Sequence, residues 1–160
     1  MNIEYPLVIV SVIMPTYNRA KTIERAINSV LNQSYAKIEL IIIDDGSSDN
    51  TSEILNRFND PGIRIFKHEK NKGVTAAKNT GLNNIHGEWF TILDSDDEIV
   101  PDAIETMISI PLYFDKSITA VTCNCLDTSE NEFAGKGLTK DQYLDVETLM
   151  TIWIFRYNKN

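Results

Sequence analysis

Apolar residues along this chain alternate between short continuous runs and longer stretches with helical spacing. The runs are Leu7 to Met14, Ile38 to Ile43, Ile63 to Phe66, Trp89 to Leu93 and Thr119 to Leu126. Each has the length of a strand, and the lack of polar alternation is what strands covered on both faces require. After the first run, Ile23, Ala26, Ile27, Val30 and Leu31 follow i, i+3, i+4, i+7, i+8 spacing, which predicts a helix with one apolar face. A second helix carries Ile54, Leu55 and Phe58; Ser47, Ser48 and Asp49 precede it as capping side chains, and Pro61-Gly62 closes it. Val74, Ala77, Gly81, Leu82 and Ile85 mark a third helix, and Pro101 to Ile108 a fourth that begins with proline, where a missing amide costs little. Strands alternating with helices predict an α/β domain with a mostly parallel sheet. Beyond Asp127 the pattern weakens into a polar loop through Lys140, followed by a predicted helix from Asp141 to Phe155. Its apolar end, Met150 with Ile152 to Phe155, is expected to pack onto the sheet, and Trp89 and Trp153 are expected in the core.

Composition narrows the class. A chain of 160 residues is one ordinary domain in length, long enough to bury about 70% of its unfolded surface without disulfides. With 42% hydrophobic residues it is neither a disordered tail nor a linker. No apolar run approaches the roughly 20 residues of a membrane span, and Met1 to Tyr5 lack the basic lead of a secretory signal, so the expected compartment is the cytoplasm. Cys123 and Cys125 stand two apart with no second ligand pair nearby and read as reduced thiols. The charge is uneven: residues 1–80 carry ten basic and nine acidic side chains, residues 81–160 five and fourteen. That balance, with no basic stripe, argues against a nucleic acid polymer as partner. A small phosphorylated ligand accompanied by a cation remains compatible.

Candidate chemistry sits at strand ends, where open α/β sheets bind ligands. Pro15-Thr16-Tyr17-Asn18-Arg19 follows the first strand, Asp44 to Thr51 the second, and Asp94-Ser95-Asp96-Asp97-Glu98 the fourth. Four carboxylates within five residues repel one another unless a cation sits among them. A hard divalent ion, Mg²⁺ or Mn²⁺, accepts one or two such carboxylates together with phosphate and water. Asp97 and Glu98 read instead as complements to the dipole of the following helix. A calcium loop of the EF-hand type is excluded by Ile99 at the position that requires glycine. Neither a Walker phosphate loop nor a Gly-x-Gly-x-x-Gly turn is present, so phosphate needs another cradle, for which Asn71 to Asn79, with Lys70, Lys72 and Lys78, is the candidate. His68 and His86 border a strand and a turn and read as surface residues without a catalytic role.

Four ordered blocks, PTYNR, IIIDDGSSDNT, NKGVTAAKNTGL and GEWFTILDSDD, resemble glycosyltransferase family 2, the inverting transferases of the Rossmann-like GT-A fold, over residues 9–108. The resemblance implies a nucleotide-sugar-binding GT-A domain over residues 1–126 and a C-terminal extension, the start of the acceptor half, over residues 127–160. It implies that Pro15, Thr16 and Tyr17 line the nucleobase pocket and that Asp45 hydrogen-bonds the base, typically uracil, while Asp44 braces the turn. Lys78 takes the place of the family's usual Arg, keeping the charge without the planar fork. Asp94 and Asp96 match the DxD motif around Ser95, Asp94 toward the ribose and donor sugar and Asp96 on the metal, Mn²⁺ or Mg²⁺. The implied reaction moves a sugar from a nucleoside diphosphate to the hydroxyl of a carbohydrate or lipid-linked acceptor, with inversion, in cell-surface polysaccharide synthesis peripheral to the inner face of the membrane.

The family places the general base after the DxD strand, and none of Asp127, Glu130, Glu132 or Asp141 sits in a recognisable base motif. The acceptor half is expected to be short or missing, transfer by this chain alone weak, and the acceptor site completed by a homo-oligomer or a partner chain. Two other classes compete. One is a non-catalytic nucleotide-sugar-binding module. The other is a phosphoacceptor signalling domain, whose acidic pair ends the first strand, whereas Asp44-Asp45 ends the second.

Overall fold

Strand residues with opposite parity face opposite sides of a sheet, and the first two strands here are apolar on both. In the computed structural model, which describes residues 8–113, 117–124, 126–127, 132–133 and 151–156, Val10, Val12, Met14, Leu40 and Ile42 enter one core while Ile13, Ile41 and Ile43 enter a second. The elements, in chain order, are β1 (Val10–Thr16), α1 (Ile23–Leu31), β2 (Ile38–Asp44), α2 (Thr51–Leu55), β3 (Ile63–Lys67), α3 (Val74–Leu82), β4 (Trp89–Ile92), α4 (Ala103–Tyr113), β5 (Ala120–Asn124), β6 (Leu126–Asp127), β7 (Glu132–Phe133) and β8 (Thr151–Arg156). Six strands form one sheet in the order β3-β2-β1-β4-β8-β5, and β6 pairs with β7. β1, β2, β3 and β4 run parallel, with Ile13 opposite both Ile41 and Ile92. β8 is antiparallel to both β4 and β5.

Helices cover both faces, as the predicted α/β class requires. α1 and α4 supply Ile23, Ala26, Ile27, Val30, Ile104, Met107 and Ile108 to the larger core, and α3 supplies Ala77 to the smaller. Leu31, assigned to the buried stripe of α1 by its spacing, is exposed instead, because it lies at the edge of that stripe, about 100° round the helix from the buried Val30. Trp89 is buried as expected, with the Arg156 guanidinium 4.9 Å from its ring centroid. The side chain of Trp153 lies outside those described, as does Cys125.

Several boundaries differ from the sequence pattern for identifiable reasons. β1 does not stop before Pro15 but continues through it to Thr16. Pairing with β4 has ended at Ile13 by then, so the proline sits where β1 has a ladder partner on one side only. α4 passes the expected end at Ile108 and carries Pro111 in its last turn, because Ile110 and Leu112 go on packing against the core. The largest correction concerns the predicted helix Asp141 to Phe155. Residues 141–150 are outside those described, but Thr151–Arg156 is a strand inserted between β4 and β5, not a helix lying on the sheet. Its run of β-branched and aromatic residues suits a pleated strand with neighbours on both sides. Within the expected polar loop, Glu132–Phe133 pairs with Leu126–Asp127. Among the described residues no helix is long and apolar enough to cross a membrane.

Gly81 sets how closely α3 lies on the sheet. A Cβ there would stand 2.4 Å from Ile13 Cγ2 and 3.0 Å from Ile43 Cδ1. Gly81→Ala is therefore expected to destabilise the domain by about 1–3 kcal/mol in urea unfolding, although alanine is the better helix former; unchanged or increased stability would contradict this packing.

Candidate functional site

Because β2, β1 and β4 are adjacent and parallel, their carboxyl ends share one rim. Chain order runs outward from β1 to β2 and β3 and then returns to β4 on the other side of β1, which makes the β1/β4 boundary the switch point where such sheets open a crevice. A cleft of about 360 Å³ lies there. Pro15, Thr16, Tyr17 and Arg19 line it from the end of β1, Asp45 from β2, Asp94, Ser95 and Asp96 from β4, and Asn71, Val74 and Ala77 from the approach to α3 and its first turn. Of the residues singled out from sequence, seven thus share one cavity. Lys78 is not on its wall, but its Nζ lies 3.9 Å from Asp94 Oδ1.

The polar density after β2 divides into bracing and site. Asp44 is buried and accepts from the Ser47 amide at 2.9 Å and Ser52 Oγ at 2.6 Å, with Lys67 Nζ at 3.7 Å. This is the bracing role expected of it. Burial pushes its carboxyl up, but the two serines and the lysine outweigh that and hold it below the usual range. Ser47 to Thr51 clamp the β1 loop. Asn18, in the left-handed region with φ 52°, accepts from the Ser48 amide at 2.8 Å, while Thr51 Oγ1 and Asp49 Oδ2 accept from the amides of Arg19 and Ala20. Gly46 has φ +72°, and a Cβ there would stand 2.6 Å from the Lys70 carbonyl carbon, so only glycine lets the turn pass beneath that segment.

Asp45 is only 3% exposed. Its Oδ1 lies 2.6 Å from His68 Nδ1 and accepts from the Lys72 amide at 3.0 Å; its Oδ2 accepts from the Gly73 amide at 2.8 Å. Burial again pushes upward and is outweighed, first by His68 and then by the two amides, so the carboxyl is held below its usual range. His68, read from sequence as a surface residue, is buried and bridges Asp45 to Thr80 Oγ1 at 2.9 Å. Parallel pairing explains the correction: Lys67 stands opposite Asp44, so the next residue falls beside Asp45. His86 is exposed as expected, near Glu39 and Arg64 at the far end of the sheet.

After β4 the acidic loop is tied to α1. Thr22 Oγ1 donates to the Ser95 carbonyl at 3.0 Å and Arg25 to the Asp96 carbonyl at 2.6 Å, and Arg25 pairs with Glu98 at 3.5 Å. Asp97 is pushed up by burial and then by the charges of Asp96 and Asp94, the repulsion expected of clustered carboxylates. Asp94 and Asp96 remain about half exposed, and Arg19 Nη2 stands 3.3 Å from Asp96 Oδ2. Arg19 was not assigned a site role from sequence, although its place in the PTYNR block carried the signal. Among the described residues no three His, Cys, Asp or Glu side chains group to hold a metal by themselves. Two half-exposed carboxylates fit a hard divalent cation that draws its other ligands from phosphate and water.

The fold and this rim define an α/β domain with an acid-rich cleft at its switch point. The sequence profile of "Glycosyl transferase family 2" matches residues 11–144, and the chain belongs to that family. It is 38% identical over 138 residues to a Campylobacter jejuni protein named GalNAc(5)-diNAcBac-PP-undecaprenol beta-1,3-glucosyltransferase, covering 82% of this chain and 44% of that one. S. aureus TarS 1-349 superposes with a TM-score of 0.75 at 22% identity, over 92% of this chain and 47% of its own, and has also been crystallised with UDP. The mannosyltransferase PcManGT of Pyrobaculum calidifontis, in complex with GDP-Man and Mn²⁺, superposes at 0.63 with 26% identity, over 76% and 39%. The chain spans about half the length of the curated relatives it matches.

Asp44 gives a pH prediction. A carboxyl whose folded pKa is depressed adds stability that is present above its unfolded value, about 4, and is lost as pH falls through the folded value. Thermal midpoints should therefore decline below pH of about 4, and Asp44→Asn should show a shallower decline than the wild type; parallel curves would contradict the assignment.

Proposed function

We propose that this chain binds a uridine diphosphate sugar in the β1/β4 cleft and that the protein transfers the sugar, with inversion, to an acceptor hydroxyl. The observation that carries the reading is the gathering of Asp45, Thr16, Tyr17, Asp94 and Asp96 in one cavity from three separate strand ends. Among the described residues Thr16 Oγ1 is buried without a hydrogen-bond partner, which suits a site that a polar ligand completes. Tyr17 offers a half-exposed ring against which a base can stack. Asp45, acceptor-only when ionised, is matched to an imide N–H. Lys78 beside Asp94 contributes positive charge near the diphosphate.

Asp96, with Asp94, would hold a Mn²⁺ or Mg²⁺ ion. When bound, such an ion neutralises charge growing on the leaving diphosphate. Arg19, 3.3 Å from the Asp96 carboxylate, sets its orientation at the rim. The UDP complex of TarS and the Mn²⁺ complex of PcManGT support the same reading. The name of the Campylobacter relative suggests a lipid-linked acceptor, and hence work at a membrane face.

Calorimetric titration of UDP and UDP-sugars, with and without Mn²⁺, tests this. Binding strengthened by the ion is expected, and Asp96→Ala should abolish the metal dependence while leaving the thermal midpoint unchanged. Failure of the wild type to bind any uridine nucleotide would overturn the reading.

A further inference from the structure

His68 lies outside the cleft wall, yet it makes the shortest contact to the one carboxylate in the cleft that is almost fully buried. We propose that His68 is a positioning residue for nucleobase recognition: its Nδ1–H fixes Asp45 so that one acceptor of the carboxylate is kept for a ring N–H of the base. The inference rests on the nucleotide reading above and names the residue that sets its selectivity.

The hydrogen count supports it. Backbone amides donate to both oxygens of Asp45, from Lys72 to Oδ1 and from Gly73 to Oδ2. Those donors suit the ionised form, which only accepts. An acceptor-only group 2.6 Å from His68 Nδ1 places the hydrogen on Nδ1. On the other side of the ring, Nε2 meets the Thr80 hydroxyl at 2.9 Å, which also has the Ala76 carbonyl as an acceptor at 3.0 Å; whichever of the two takes the single hydroxyl hydrogen, the hydrogen on Nδ1 is unaffected. A carboxylate has about four acceptor positions. Two on Oδ1 go to His68 and Lys72 and one on Oδ2 goes to Gly73, which leaves one on Oδ2.

A single remaining acceptor matches uracil, whose ring offers one imide N–H between two carbonyls. The corresponding nitrogen of cytosine is itself an acceptor and meets the carboxylate unfavourably. Loss of the His68 donor would free a second acceptor and remove one of three anchors, so the carboxylate would be both less fixed and less selective. No charged side chain other than Asp45 makes a described contact with the ring; the neighbouring Asp44 carboxylate is turned to Ser47, Ser52 and Lys67.

The substitutions that separate positioning from bulk follow from side-chain geometry. Asparagine carries its amide nitrogen on Cγ, as imidazole carries Nδ1, so His68→Asn keeps a donor toward Asp45 and gives up Thr80. His68→Phe keeps the ring and gives up both contacts. In titrations with UDP and CDP in the presence of Mn²⁺, the wild type should prefer UDP. His68→Phe should weaken UDP roughly tenfold or more and narrow the UDP-over-CDP ratio, and His68→Asn should recover most of both. Imidazole ¹⁵N spectra of the free wild-type protein should show a hydrogen on Nδ1, which decides the contact even if His68→Phe fails to fold. Wild-type affinity and selectivity in His68→Phe, an Asn variant as weak as the Phe variant, or a bare Nδ1 would each overturn the role of His68. A wild type that binds neither nucleotide overturns the nucleotide reading, and this role with it.

Discussion

The parallel pairing of β1 with both β2 and β4 is the constraint on which the site depends. Each parallel neighbour demands a crossover, and the crossovers bring α1 and α3 onto opposite faces of the sheet. Three strands pointing the same way necessarily end at one rim, so the loops after Thr16, Asp44 and Ile92 become neighbours although they are far apart in the chain. Gly81 permits α3 to seat tightly on β1 and β2, and the amides of Lys72 and Gly73, just before that helix, reach Asp45. The cleft is therefore a consequence of strand direction and helix packing rather than of any one loop.

At that rim the acidic residues are divided by environment. Asp44 and Asp45 are buried, anchored by fixed donors and held as anions despite the cost of burial. Asp94 and Asp96 are half exposed and, among the described residues, each meets a single, loosely placed cation, Lys78 at 3.9 Å and Arg19 at 3.3 Å. Exposed pairs of that kind contribute little stability and are readily exchanged for another cation. The first pair is thus suited to fixed recognition and the second to a ligand that arrives and leaves. Asp97 beside them bears the cost of crowding, its carboxyl pushed upward.

The opposite end of the sheet is closed. Ser11 Oγ and the amide of His86 both donate to Glu39 Oε1 at 2.6 Å, Arg64 Nη1 donates to Oε2 at 3.1 Å, and the Gly87 amide donates to Ser11 Oγ at 3.0 Å. A buried carboxylate with all these donors satisfied staples β1, β2, β3 and the turn into β4 together. That rigidity at one end leaves the carboxyl ends of the same strands as the place where loops present side chains to a ligand.

Much of this was legible along the chain. Continuous apolar runs announced buried parallel strands, the 3.6-residue spacing marked the helices, and polar clusters at three strand ends marked the rim, because those signals are local and periodic. The resemblance of four ordered blocks extended that to a family. What escaped were matters of register and competition. His68 looked like a surface residue because only the pairing of Lys67 with Asp44 sets it beside Asp45. Arg19 gained its meaning only when the β1 and β4 loops met. Thr151–Arg156 read as the end of a helix because a short apolar run fits either state, and only the open positions between β4 and β5 decided for a strand. The sequence by itself determined the main strands and helices as far as β5, and where charge collects. The tertiary structure decided which charges meet and which remain open to a ligand, since both depend on distances between segments that no local pattern encodes.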